Sequence, residues 1–214
     1  MRTHEQSSEN FGLAVFNPAP CEDIATITVT GLGRSGTTMI ARILYEMGIP
    51  MGKDLNKSRK MEDVDILAAV KSGDLDRFAA ISAAQDAKYE KWAFKCPALR
   101  TILPGALARL RAPRVIVPFR DVMAISIRNH IENTTEVETA LGLAARGNAK
   151  LLVALENISV PLLYLSYEKA LQYPVHTVAR IAIFCGLELS QKNIERIAVE
   201  TICNGDKRYF AEHL

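Results

Sequence analysis

Between Ala25 and Tyr45 the chain reads ATITVTGLGRSGTTMIARILY, and few folds accommodate such a stretch. Thr26-Ile27-Thr28-Val29-Thr30 is a β-branched run that predicts a buried strand. Gly31-Leu32-Gly33-Arg34-Ser35-Gly36 interrupts it. From Thr37 onward, apolar residues return at helical spacing as Met39, Ile40, Ile43, Leu44 and Met47. A strand, a glycine turn and a helix aim backbone N–H groups and a helix N-terminus at one point, where an anion is held.

Two phosphate patterns overlap in this loop. Gly31, Gly33 and Gly36 fit the dinucleotide pattern G-x-G-x-x-G. Gly31, Gly36 and Thr38 fit the Walker A frame, but Thr37 stands where its lysine belongs. That lysine reaches the outer phosphates of a nucleoside triphosphate, so its replacement argues against such a ligand. The loop's own cation is Arg34. The expected anion is small, held by loop amides, by the hydroxyls of Ser35, Thr37 and Thr38, and by the Arg34 guanidinium. A plain turn joining strand to helix is the alternative.

At 214 residues and 49% hydrophobic content, the chain can bury one sizeable core. A net charge of +2 implies no general polyanion binding, so no nucleic-acid partner is expected. Cys21, Cys96, Cys185 and Cys203 are scattered without a C-x-x-C pair, which suggests buried thiols and no metal site. No signal-peptide core or membrane-spanning run is present, and a soluble cytoplasmic protein is expected.

Residues 1–22, polar and then broken by prolines, read as a flexible tail or surface arm, and 23–214 as one domain. Helices are expected from near Asp63 to Ser72 and from Leu75 to Ala87, then a strand over Lys91–Cys96. A helix to Leu110, interrupted at Pro104-Gly105, leads to a strand over Arg114–Phe119. Helices through His130 and over 137–158, a strand at Leu162–Leu165, and helices over 175–184 and 191–202 complete the pattern. The expected fold is α/β: a P-loop-containing three-layer α/β/α arrangement with a mostly parallel central sheet. Ligands gather at the carboxyl ends of such strands, where Arg34, Lys95 and Arg120 lie.

Four segments carry a family resemblance. Gly33-Arg34-Ser35-Gly36-Thr37-Thr38, Trp92 to Pro97, Val115 to Asp121 with Ser126, and Tyr164 to Leu171 continuing to Leu187 resemble the PAPS-dependent sulfotransferases, especially compact bacterial ones. PAPS is 3′-phosphoadenosine 5′-phosphosulfate. The resemblance implies that the first segment holds the 5′-phosphosulfate and that Arg120 and Ser126 grip the 3′-phosphate. It implies sulfuryl transfer to a hydroxyl or amine of a small-molecule or glycan acceptor, with PAP released and no metal required. The spacing from Arg120 to Ser126 is six positions, two fewer than usual in the family. Asn204 to Tyr209 is the stand-in for its glycine- and lysine-rich C-terminal loop.

Cations placed where charge grows stabilise the transition state of such a transfer, which selects Arg34 and Lys95. An acceptor hydroxyl needs a base, for which Glu62 is the candidate and Asp63 the fallback. Either carboxylate is equally explained as favourable charge at a helix start. Three other readings remain: a P-loop kinase using Asp121 for magnesium, an NAD-binding module using Asp54, and a non-catalytic sulfotransferase-like domain.

Overall fold

The structure, a computed structural model, describes residues 10–20, 22–52 and 61–202. The first elements are β1 (Leu13–Phe16), β2 (Ala25–Val29) and α1 (Thr37–Glu46), followed by α2 (Val64–Ser72), α3 (Leu75–Asp86) and β3 (Lys91–Lys95). A 3-10 turn over Pro97–Thr101 leads to α4 (Leu103–Leu107), β4 (Pro113–Phe119), α5 (Val122–Asn133) and α6 (Val137–Glu156). The chain continues through β5 (Leu162–Ser166), α7 (Tyr167–Gln172), α8 (Pro174–Phe184) and α9 (Gln191–Thr201).

The strands form one sheet in the order β1-β5-β4-β2-β3. β2, β3, β4 and β5 pair in parallel, and β1 runs antiparallel along β5 at the edge. Parallel strands covered on both faces are buried at every position, as β2 is, its β-branched Thr26 and Thr28 included. The pleat divides β4 between two cores. Val115 and Val117 pack with Phe78, Trp92, Phe94, Leu103 and Leu151, whereas Ile116 packs with Ile40, Ile43, Val178, Ile181 and Ile197. Helices thus lie on both faces, and the three-layer α/β/α architecture is the expected one. The parallel strands all deliver their carboxyl ends to one rim.

Two local expectations change. Part of the supposed tail is a strand: Leu13 to Phe16 pair with Leu165 to Leu162. Asn17 then donates to the carbonyls of Ile158 and Val160, and Arg114 donates to those of Ala19 and Pro20. A four-residue edge strand half-open to solvent is too short for its alternation to register in sequence. Pro104-Gly105 also does not interrupt a helix. Proline has no backbone N–H to donate, but a first-turn residue has no use for one, and Pro104 sits in the first turn of α4. The break falls before it, at Ile102.

Among the described residues between α1 and α2, Met51 makes a single bridge to Ala93. Asp54, Cys21, Cys203 and the stretch Asn204 to Tyr209 lie outside the described residues. Cys96 and Cys185 are buried, as expected. Among the described residues, no helix is long and apolar enough to cross a membrane.

Candidate active site

Strand register sets the site. Val29, the last residue of β2, lies opposite Lys95 in β3 and Ile116 in β4. β4 runs three residues further, to Phe119, so Arg120 emerges beside the loop that follows β2. The loop is held in shape from within and without. The Ser35 hydroxyl donates to the Leu32 carbonyl at 2.8 Å, and Ser35 is buried. Gly36 has φ 104° and precedes α1, and a Cβ there would lie 2.5 Å from the Tyr167 ring. Only glycine combines that dihedral with that contact. From the other side α6 presses on Leu32, where a Cβ on Gly147 would lie 2.5 Å from Leu32 Cδ2. At Gly33, by contrast, a Cβ would meet nothing within 4 Å, so the loop's middle is open.

On one flank, Lys95 Nζ lies 2.7 Å from Glu62 Oε1 and donates to Thr38 Oγ1 at 3.3 Å. The lysine side chain is 3% exposed and the glutamate's 16%, so the pair is screened little by solvent. Its neighbour Asp63 does something else. It caps α2, accepting from the backbone N–H groups of Asp65 at 2.9 Å and Ile66 at 3.1 Å. Glu62 and Asp63 thereby separate: the cap is Asp63, and the carboxylate at the rim is Glu62. Burial pushes the adjacent Cys96 thiol up to about 11, so it is no nucleophile at neutral pH.

On the other flank, Arg120 Nη1 donates to the Arg34 carbonyl at 3.2 Å, and its guanidinium lies 4.5 Å from the centre of the Tyr167 ring. Tyr167 is therefore a plate with Gly36 against it and Arg120 stacked on it. Glu168, next in sequence, accepts the Asp121 N–H at 3.0 Å and fixes the turn out of β4. The Asp121 carboxylate caps α5 through the Ala124 N–H at 2.9 Å, a use that argues against a magnesium role. Arg120 Nε is buried and has no hydrogen-bond partner among the described residues. Arg34 turns its guanidinium to Glu132, near the end of α5, whose other oxygen faces Arg128 at 3.5 Å.

Of the residues expected at the site, Gly33, Arg34, Gly36, Thr38, Glu62, Lys95 and Arg120 line one continuous stretch of the rim. Three hydroxyls behave differently from expectation. Ser35 is spent on the loop's own carbonyl, and Thr37 is buried at the start of α1. Ser126 is buried and donates to the Val122 carbonyl at 2.6 Å. Sequence reading missed Tyr167 as a support for Arg120, and Glu132 and Arg128 altogether. The Tyr-Glu turn was the available signal for the first; nothing local marks the other two.

No protein-family model and no curated protein sequence matches the chain. Solved structures do. Sulfotransferase STF1 from Mycobacterium tuberculosis H37Rv aligns with a TM-score of 0.55 at 16% identity, covering 89% of this chain and 77% of that one. Mouse sulfotransferase SULT7A1, solved with PAP, gives 0.57 at 15% identity over 88% of this chain and 70% of that one. The sulfotransferase domain of the Synechococcus PCC 7002 olefin synthase gives 0.57 at 16%, over 88% and 79%. Strand order, loop and cationic rim together with these likenesses establish that the chain has the sulfotransferase fold.

Proposed function

We propose that this chain is an enzyme that transfers a sulfuryl group from PAPS to a hydroxyl or amine of a small-molecule or glycan acceptor, releasing PAP. One observation carries the reading: Arg120 hydrogen-bonds the Arg34 carbonyl, so the loop and the second anion-holding cation are contiguous on one rim. A nucleotide with anionic groups at both ends of its ribose requires that adjacency. The residues fit such a ligand. The loop's middle is open at Gly33, α1 directs its N-terminus there, and the buried Arg120 Nε has a donor to spare.

When bound, PAPS supplies a sulfuryl group whose leaving group is a phosphate. Thr38 and the loop amides hold its phosphosulfate end, and Arg120 on its Tyr167 plate holds the 3′-phosphate. Glu62 accepts the proton of the acceptor hydroxyl. Until then Glu62 neutralises Lys95 across 2.7 Å; once protonated, it leaves the ammonium uncompensated as charge develops on the departing phosphate. Base and electrostatic stabiliser are thus one coupled pair. No observation favours a kinase.

The test is calorimetric titration with PAP, with ATP and magnesium, and with NAD in parallel. Heat is expected with PAP alone, lost in Arg120→Ala and partly kept in Arg120→Lys. ATP binding without PAP binding overturns the reading, and PAP binding without turnover across an acceptor panel reduces it to a nucleotide-binding domain. In turnover assays Lys95→Ala lowers the rate by about 10²–10³-fold, the usual cost of one charge-stabilising donor.

A further inference from the structure

Arg34, Arg128 and Glu132 form a group that the mechanism above does not use. Arg128 and Glu132 are one turn apart on α5, on the stripe that also carries Ile125. Ile125 is buried against Leu32, so this stripe faces the loop. Glu132 Oε2 takes Arg34 Nη2, and its Oε1 lies 3.5 Å from Arg128 Nε. The three side chains keep between 24% and 28% exposure, so solutes can reach them. Two guanidiniums closing on the two oxygens of one carboxylate is also the geometry with which arginines take a phosphate or sulfate. Without an anion between them the two cations repel.

We propose that Arg34 and Arg128 make a two-guanidinium oxyanion site, and that Glu132 is its internal occupant, displaced by an anionic group of the entering nucleotide. The proposal rests on the sulfotransferase reading. Ser126 cannot provide α5's share of anion binding, because it is buried with its hydroxyl on the Val122 carbonyl. Arg128, two positions on and open to solvent, provides it. The carboxylate bridges the two cations and competes with the ligand for them. It therefore sets donor affinity without touching the reacting atoms.

A PAP titration of wild type, Glu132→Gln and Arg128→Gln at one ionic strength tests this. Replacing the carboxylate by its neutral isostere is expected to tighten PAP by about fivefold, the order a partly exposed ion pair represents. Arg128→Gln is expected to weaken PAP by about the same factor. Glu132→Asp, which keeps the charge and shortens the reach, gives a smaller gain and covers the case of a glutamine variant that does not fold. A folded Glu132→Gln with unchanged or weaker PAP binding overturns the proposal, because a merely structural glutamate would lose affinity on removal. So does an Arg128→Gln that binds as wild type does. Wild-type protein that binds no PAP overturns the donor reading and this inference with it.

Discussion

Glu62 and Asp63 are adjacent carboxylates with unlike work, and each can be read separately by substitution. Glu62→Gln removes the proposed base while leaving an oxygen for Lys95; turnover is expected to fall by about 10²–10⁴-fold with PAP affinity little changed. Asp63→Ala removes two hydrogen bonds from the first turn of α2 and is expected to cost about 1 kcal/mol in urea unfolding. Sequence alone left these two interchangeable, because both precede a helix and only the turn of the backbone at Met61 and beyond aims one at Lys95. The same holds for Glu132: an exposed glutamate late in a helix has no local mark, and its partner Arg34 is about a hundred positions away. Cys96 offers a pH test. Its folded-state value, raised by burial to about 11 from 9.0, favours the neutral thiol in the native protein. Its contribution to stability is therefore whole below pH 9 and is lost as pH climbs toward 11, and Cys96→Ala flattens that loss. Mass spectrometry after iodoacetamide at pH 8 should find Cys96 unmodified in native protein and modified in urea.

At the scale of elements, the loop between β2 and α1 is the most exacting. Gly36→Ala places a Cβ against the Tyr167 ring at a dihedral that L-residues rarely adopt. Both unfolding temperature and PAP affinity are expected to drop, since Tyr167 also supports Arg120. Tyr167→Leu, which keeps a side chain but removes the π face, should weaken PAP binding with a smaller loss of stability. Most elements were legible in the sequence because buried parallel strands are continuous β-branched or apolar runs and the helices between them are amphipathic. What escaped was whatever depends on partners far along the chain: β1, which exists only by pairing with β5, and the burial of Ser126, which depends on how α5 lies. Pro104 escaped for a different reason, since a proline reads as a break unless its place in the first turn is known.

For the whole molecule, the segment before β2 is part of the fold. It supplies the edge strand on β5, and its backbone carbonyls accept from Nη1 and Nη2 of Arg114, a charged residue 6% exposed near the start of a central strand. Deleting residues 1–22 uncovers the β5 edge and strands that guanidinium; a fall in unfolding temperature and a tendency to associate are expected, checked by calorimetry and light scattering. Arg114 lies at the far end of the sheet from the site, but Gly12 accepts the Ser166 N–H at 2.8 Å next to Tyr167, so the deletion is expected to weaken PAP binding as well. Gly147 carries a different implication. Leu32 is a flexible side chain and can swing aside for one methyl group, so alanine at 147 is tolerable. Anything bulkier levers α6 off the rim or drives Leu32 inward, and either movement reaches the carbonyl that anchors the Ser35 hydroxyl. A position without a side chain, on a neighbouring helix, thus governs the curvature of the loop proposed to cradle the nucleotide.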